Sequence, residues 1–351
     1  MTKIALGVTS GIQIENDRPL VKRLIEAFLR ANESAGYSDD SQWATIRRMQ
    51  ESVVEAIRAR DTAAVSNILH RPHEGYLLYG FEDLGVWSVE AYKSAERRTG
   101  YAAHCYELLK RLAQATGVLA LPNPEAPGRE MSVPEVPVLL DRLEAALGFS
   151  IRPTEPYPFY YGLETDRGVL GERVLNAVYC AWRIRQLTAG IASPRILEIG
   201  AGVGRLAEYT HRLGLTDYWI VDVPMTSLVQ GHFLACALGE DRVVLDGEPD
   251  GHARDDAVKI LNPERFFANE RLQFDLVINS DSLTELGRTA ATSYFRRAAE
   301  RSRVLFSVNH EVNPFRVFDL HRELRVFDSV DRRPYWMRNG YVEEIFTHAR
   351  P

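Results

Sequence analysis

The chain has 351 residues, of which 45% are hydrophobic and 26% are charged, and its formal net charge at pH 7 is -6. This is the composition of an ordinary globular protein with one large or two ordinary domains, and its acidic balance argues against nucleic acid as a partner. No apolar run approaches the roughly 18 residues of a membrane span, and the start of the chain lacks the apolar core of a secretion signal, so we expect a cytoplasmic protein without a membrane span.

Residues 1–150 are predicted to form a mainly helical N-terminal region. Apolar residues recur at helical spacing over the segments 18–35, 43–57, 101–116 and 138–147. The proline- and acid-rich segment 121–137 interrupts this pattern and is the expected linker, and residues 151–161 read as a proline- and aromatic-rich loop. We expect the N-terminal region to cap a substrate site or to join the subunits of a homo-oligomer.

After residue 165, helices and strands alternate. The predicted strands are 195–199, 218–221, 242–245, 274–279, 303–308, 324–328 and 341–348. The predicted helices are 170–187, 204–213, 224–238 and 282–300. This alternation implies right-handed crossovers and an α/β fold with a doubly wound, mostly parallel sheet of seven strands over residues 151–351. In such a sheet, ligands bind beyond the carboxyl ends of the strands.

The stretch 195–205, RILEIGAGVGR, is the most informative part of the chain. An apolar strand ends there, and glycines follow at every second position, at Gly200, Gly202 and Gly204. Glycine lets the backbone turn sharply and approach a ligand closely, so such a turn between a strand and a helix cradles a small molecule. A dinucleotide fingerprint would need glycine where this chain has Arg205, which we interpret as a solvated or ion-pairing residue.

The pattern E-x-G-x-G-x-G resembles motif I of the class I S-adenosylmethionine (SAM)-dependent methyltransferases, whose glycine loop passes under the methionine and ribose parts of SAM. The resemblance implies SAM as the cofactor, with Glu198 at its cationic methionine end or, alternatively, capping the turn. Asp222 lies 24 residues after Glu198, at the end of the second strand. An acid at this distance is the expected ribose ligand, since one carboxylate can accept hydrogen bonds from both ribose hydroxyls.

Three further residues are assigned to the SAM site. Asp246 follows the third predicted strand, near the place where the family contacts adenine, with Asp250, Asp255 and Asp256 as rivals. Arg167 precedes the first helix of the domain and is a candidate for the SAM carboxylate, its alternative being a surface arginine. Asn279 ends the fourth predicted strand, which is also an expected contact point for the cofactor.

Polar clusters follow the fourth and fifth strands and supply candidate bases. Asp281 and Glu285 are four residues apart, and His310 and Glu311 follow the fifth strand. Methyl transfer to a hydroxyl needs a positioned group that removes the proton, so His310, Asp281 and Glu311 are the catalytic candidates. The alternatives are a structural role for His310 and a helix N-cap role for Asp281.

The sequence assigns no residue to a metal. Asp281, Glu285 and Glu311 have the oxygen ligands that Mg²⁺ prefers, but their spacing does not demand an ion, so magnesium is only a secondary expectation. The cysteines form neither a metal-ligand pattern nor a disulfide framework, and they are Cys105, Cys180 and Cys236.

The motifs IVDVP, VINSDSLTEL and LFSVNHE follow RILEIGAGVGR in order. This succession, over residues 155–350, looks like the sugar O-methyltransferase family of bacterial polysaccharide and glycosylated natural-product pathways. It implies methylation of a hydroxyl on a nucleotide sugar, a glycan end or a glycosylated natural product, and a small sugar or glycoside as partner. Two alternatives stay open: an O-methyltransferase of a non-sugar molecule such as a polyketide or phenolic, and a non-catalytic partner protein with a SAM fold.

Overall fold

The computed structural model describes residues 4–12, 17–31, 41–80, 82, 85–123, 125, 133–249 and 254–349. Residues 124 and 126–132 of the predicted linker 121–137, and the rival Asp250, lie outside these ranges. The N-terminal helices are α1 Arg18–Arg30, α2 Gln42–Met49, α3 Glu51–Arg58, α4 Thr62–His70, α5 Val86–Ala91, α6 Ala95–Ala115 and α7 Val136–Leu147. The later helices are α8 Glu172–Leu187, α9 Arg205–Arg212, α10 Pro224–Leu238, α11 Pro263–Ala268, α12 Arg288–Arg301 and α13 Val317–Leu324.

The strands of the described ranges form two sheets. They are β1 Leu6–Ser10, β2 Pro158–Thr165, β3 Gly168–Leu170, β4 Ile196–Ile199, β5 Tyr218–Val221, β6 Val243–Val244, β7 Val258–Leu261, β8 Leu276–Ser280, β9 Val304–His310, β10 Ser329–Pro334 and β11 Tyr341–Thr347. β1, β2 and β3 form a small antiparallel sheet in that order. The other eight form a large sheet in the order β10-β11-β9-β8-β4-β5-β7-β6.

The large sheet confirms the predicted doubly wound, mostly parallel α/β fold, with eight strands rather than seven. β6, β7, β5, β4, β8 and β9 run parallel, and β11 and β10 continue antiparallel beyond β9. Ile199 at the end of β4 is in register with Val221 of β5 and Asn279 of β8. The carboxyl ends of three neighbouring strands are therefore level at one edge of the sheet.

Two predicted strands lie elsewhere in the structure. The segment 242–245 contains only the short edge strand β6, and the third parallel strand is β7, whose apolar run is interrupted by Lys259. Lys259 is buried there because its Nζ pairs with Asp217 at 2.6 Å. The segment 324–328 is not a strand, because α13 ends at Leu324 and the next strand, β10, begins at Ser329. β10 is largely exposed, so it lacks the apolar pattern from which a strand is predicted. The predicted helix 282–300 begins later, at Arg288, after a short 3₁₀ turn.

The small sheet takes up the end of the loop predicted at 151–161, because β2 begins at Pro158, while residues 151–157 are irregular as predicted. β2 pairs with β1, which comes from the first ten residues, so no local pattern indicates the pairing. The Thr9 hydroxyl donates to the Tyr157 carbonyl at 2.7 Å and accepts from the Tyr160 amide at 2.9 Å. Pro158 is tolerated because it is the first residue of its strand.

The N-terminal helices share a hydrophobic core with one face of the large sheet. Buried residues of α1, α4 and α6 belong to the same cluster as those of α8 and α10, while the opposite sheet face packs against α12. α1 lies directly on α10, where a Cβ added to Gly231 would come within 2.5 Å of Leu24. Within the described ranges, no helix is long and apolar enough to cross a membrane.

Candidate functional site

The glycine loop leaves the carboxyl end of β4 in a left-handed conformation. Gly200, Gly202 and Gly204 have φ angles of 73°, 56° and 100°, values that other residues rarely adopt. A Cβ at Gly200 would lie 2.4 Å from the Ser282 Oγ, so a side chain is excluded there for a second reason. The loop ends at Gly204, where α9 begins.

Side chains from β8 and the turn after it hold the start of this loop. The Ile199 carbonyl accepts hydrogen bonds from Asn279 Nδ2 at 3.1 Å and from Ser282 Oγ at 2.7 Å. Asn279 is fully buried and accepts from Asn309 Nδ2 at 2.7 Å. The structure therefore places Asn279, a predicted cofactor ligand, beneath the loop, and Ser282 rather than Asn279 lines the pocket above it.

Asp222 ends β5 on the other side of the loop. Its carboxylate accepts from the amides of Ala201 at 3.0 Å and Val223 at 2.8 Å, and from Gln230 Nε2 at 2.6 Å. Gln230 also donates to the Gly202 carbonyl at 3.0 Å, so it braces the loop and the acid together. Burial raises the pKa of Asp222 to about 7. No sequence pattern pointed to Gln230, apart from its place on the helix that follows Asp222.

Glu198 is buried one residue before the end of β4. Its carboxylate accepts a hydrogen bond from the Tyr218 hydroxyl at 2.8 Å. Burial raises the pKa of Glu198 to about 8, and the charge of Asp222 adds to this rise. Two neighbouring carboxyl groups, Glu198 and Asp222, therefore share one pocket and both hold their protons more strongly than usual.

Asp281 faces the same pocket from the turn after β8. It has a positive φ of 58°, which aspartate tolerates better than most residues. Its Oδ2 accepts from Arg338 Nη1 at 3.0 Å and from the Tyr341 hydroxyl at 3.1 Å, and Arg173 Nη1 lies 3.7 Å away. Its Oδ1 is buried without a hydrogen-bond partner among the described residues.

Two of the three catalytic candidates come together. His310 Nε2 lies 3.8 Å from Asp281 Oδ1, at the edge of the pocket rather than in its lining. Glu285 joins this pair, with ligand atoms of all three residues within 4.8 Å of one another. Burial, with the charge of Asp281, raises the pKa of Glu285 to about 8. Glu311 instead pairs with Arg332 and does not line the pocket.

Two predicted cofactor ligands lie away from the pocket. The guanidinium of Arg167 forms ion pairs with three acids, which are Asp141, Glu144 and Asp166. The carboxylate of Asp246 accepts hydrogen bonds from the backbone amide of Asn262 at 3.2 Å and from its side-chain Nδ2 at 3.0 Å, and it pairs with Arg265 at 3.0 Å. These contacts connect the segment after β6 to the end of β7. Neither Arg167 nor Asp246 lines the pocket, and we do not keep them as ligands.

The N-terminal region supplies part of the pocket wall. Trp43, Gly80 and Glu82 line it. Glu82 Oε1 pairs with Arg205 Nε at 2.6 Å, with both side chains buried, and the guanidinium lies 4.6 Å from the centre of the Tyr160 ring. Arg205 thus is an ion-pairing residue and not a solvated one, and its partner is 123 residues away.

Comparisons with known proteins find distant likenesses only in structure. No family model matches the chain, and no curated protein matches it. The methyltransferase domain of bacterial CtHen1-CN is 12% identical, with 48% of this chain and 97% of that chain covered and a TM-score of 0.36. The glycopeptide N-methyltransferase MtfA, complexed with sinefungin, is 13% identical (48% and 92% covered, TM-score 0.34). The CcbJ methyltransferase from Streptomyces caelestis is 14% identical (49% and 88% covered, TM-score 0.34).

The clash at Gly200 predicts a specific loss of stability. Gly200→Ala would impose both a left-handed alanine and an overlap with Ser282, whereas Gly190→Ala, at φ 89° with open space around it, imposes only the first. A left-handed residue costs about 1–2 kcal/mol and overpacking about 1–3 kcal/mol more. Urea unfolding should show Gly200→Ala to be the less stable variant by the second amount, and equal stabilities would contradict the overlap.

The raised pKa of Glu198 predicts how stability depends on pH. Its pKa rises from 4.5 to about 8 on folding, so the folded state binds this proton more tightly than the unfolded state. The resulting stabilisation is complete below pH 4.5 and is lost as the pH rises through 8. Between pH 6 and 9, Glu198→Gln should therefore lose less free energy of unfolding than the wild type. The exposed Glu96→Gln is the control, and identical slopes for Glu198→Gln and the wild type would refute the assignment.

Proposed function

We propose that this chain is a SAM-dependent O-methyltransferase whose acceptor is a sugar hydroxyl. One observation carries the proposal: the glycine loop, Asp222 and Asp281 line a single pocket at the carboxyl edge of the parallel sheet. Ligands of doubly wound sheets bind at this edge. The glycine loop, as the proposed cofactor cradle, and Asp281, as the proposed proton acceptor, thereby face each other across the pocket.

The residues of the pocket fit SAM, which when bound supplies an activated methyl group. Gly200 and Gly202 line the pocket without side chains, so a ligand can approach their backbone closely. Asp222 already accepts three hydrogen bonds, which leaves about one of the four acceptor sites of its carboxylate. It can therefore accept from one ribose hydroxyl, and not from both as the sequence predicted. Glu198, buried behind the loop, supplies negative charge toward the cationic end of the cofactor once it is deprotonated.

The other side of the pocket supports a hydroxyl-rich acceptor. Its lining includes Arg173, Asp281, Arg338 and Tyr341, all of which can donate or accept hydrogen bonds. A polyketide or phenolic acceptor would instead favour a pocket lined by apolar faces of the N-terminal helices. Among the described residues, the N-terminal contribution to the lining is Trp43, Gly80 and Glu82, and the flat face of Trp43 suits a sugar ring.

Asp281 is the group that faces the acceptor, and His310 lies next to Asp281 outside the lining of the pocket. Asp281 Oδ1, which has no hydrogen-bond partner among the described residues, accepts the proton of the acceptor hydroxyl. His310 Nε2 lies 3.8 Å from this oxygen and stabilises the carboxyl group that results. Arg173 and Arg338 already compensate the negative charge of Asp281. A non-catalytic protein would have no need for this arrangement beside an intact cradle.

Removal of the Asp222 carboxylate should weaken SAM binding. A hydrogen bond to a charged group contributes about 1.5–3 kcal/mol, so Asp222→Ala should raise the dissociation constant about 10- to 100-fold in calorimetry. Asp331→Ala, on the exposed β10, is the control. An unchanged constant would show that the ribose lies elsewhere, and absence of wild-type binding at millimolar SAM would overturn the function as a whole.

Asp281 should affect turnover more than SAM affinity. Loss of a general base costs about 10²- to 10⁴-fold, so Asp281→Asn should lower turnover by that factor, and His310→Ala should lower it as well. The measurement is mass spectrometry of acceptors after incubation with labelled SAM, with nucleotide sugars, glycosides and phenolics as the panel. The exposed Glu323→Gln serves as the control. Normal turnover of Asp281→Asn would remove it as the base, and methylation of phenolics alone would refute the sugar acceptor.

A further inference from the structure

Three side chains of the kinds that bind metal ions lie close together, although they are far apart in the sequence. They are not part of the lining of the cofactor pocket. Asp17 precedes α1, His70 ends α4 and His232 lies in α10. One potential ligand atom of each lies within 4.8 Å of the other two. The cluster therefore joins two N-terminal helices to the helix that follows Asp222.

His232 is fully buried and has one nitrogen without a partner. Its Nδ1 lies 3.1 Å from the Tyr157 hydroxyl, and its Nε2 has no hydrogen bond among the described residues. A buried polar group without a hydrogen bond lowers stability unless a ligand satisfies it. When Nδ1–H donates to Tyr157, the lone pair of Nε2 is free for a ligand.

Asp17 and His70 supply the other two ligand atoms. Asp17 occupies the N-cap position of α1, yet its side chain makes no capping hydrogen bond. It turns instead toward α4, where the Ser66 hydroxyl contacts both carboxylate oxygens at 2.9 Å. His70 Nε2 lies 3.4 Å from Asp17 Oδ2 and, like His232 Nε2, is buried without a hydrogen bond among the described residues.

We propose that Asp17, His70 and His232 bind a divalent transition metal of the zinc class, which fastens α1 and α4 to α10. Two imidazoles and one carboxylate are a common ligand set for such ions. Ligand atoms of a tetrahedral zinc lie roughly 3.3–3.6 Å apart, which matches the 3.4 Å between His70 and Asp17. Tyr157 then acts as the outer partner that orients His232.

An access route to the cluster exists on the His70 side. His70 also lines a surface groove with Asn67 of α4, Ser10 of β1 and Pro156 from the segment before β2. We expect an ion to enter from this groove, because His70 is the residue of the cluster that borders it. The inference is independent of the proposed reaction, because these three residues do not line the cofactor pocket.

Metal binding by the full chain, prepared without a histidine tag, tests the site. We expect one equivalent of Zn²⁺ per chain at micromolar concentration, a higher melting temperature in its presence, and a visible absorption band typical of tetrahedral coordination when Co²⁺ replaces it. His232→Gln and His70→Asn should lose this equivalent. Tyr157→Phe should bind about 10- to 100-fold more weakly, the usual effect of removing an outer partner.

His211→Gln is the matched control, because His211 also has a buried, unpartnered Nε2 but lies outside the cluster. It should retain the full equivalent. If His232→Gln fails to fold, His70→Asn gives the same test at a half-buried position. Binding of the wild type only at millimolar Zn²⁺, or equal binding by the wild type and His70→Asn, would overturn the proposal.

Discussion

The hydrogen bonds that converge on the Ile199 carbonyl are the contacts on which the rest of the pocket depends. Asn279 and Ser282 both donate to this oxygen, at the point where β4 becomes the glycine loop. Both donors belong to the end of β8 and its following turn, and Asp281 lies between them in the chain. The left-handed conformation of Asp281 lets the chain turn so that Ser282 comes under Gly200. The same contacts therefore hold the proposed cofactor side and the proposed acceptor side of the pocket, and the two sides cannot shift independently.

Buried carboxyl groups set the electrostatics of this rigid edge. Glu198 and Asp222 sit at the ends of adjacent parallel strands, and burial raises the pKa of each. A cation beside them restores the ordinary preference for the charged form, because opposite charge within a few ångströms stabilises a carboxylate. Hydrogen bonds from Tyr218 and Gln230 offset part of the energetic cost of burying these acids, and positive charge in the pocket would offset more of it, which agrees with the proposed sulfonium cofactor.

Local sequence signals predicted the parts of the structure that depend on neighbouring residues. β5 and α10 lie where their apolar patterns place them, and the glycine loop follows its strand. The failures at β7 and β2 involve partners far away in the chain. β7 contains a lysine that only its ion pair with Asp217 allows to be buried, and β2 is defined by pairing with β1. No spacing rule links Glu82 to Arg205 or brings Asp17 to His232, because these contacts exist only after the N-terminal helices have docked.

The docked N-terminal helices act on the site through α10. Within three residues this helix presents Gln230, which braces Gly202 and Asp222, and His232, which faces Asp17 and His70. Gly231 between them allows Leu24 of α1 to approach. A shift of α1 would therefore move the brace as well as the packing. This coupling favours a role for the N-terminal region in shaping the pocket over a role confined to contacts between subunits, since Trp43 and Glu82 already form part of the pocket wall.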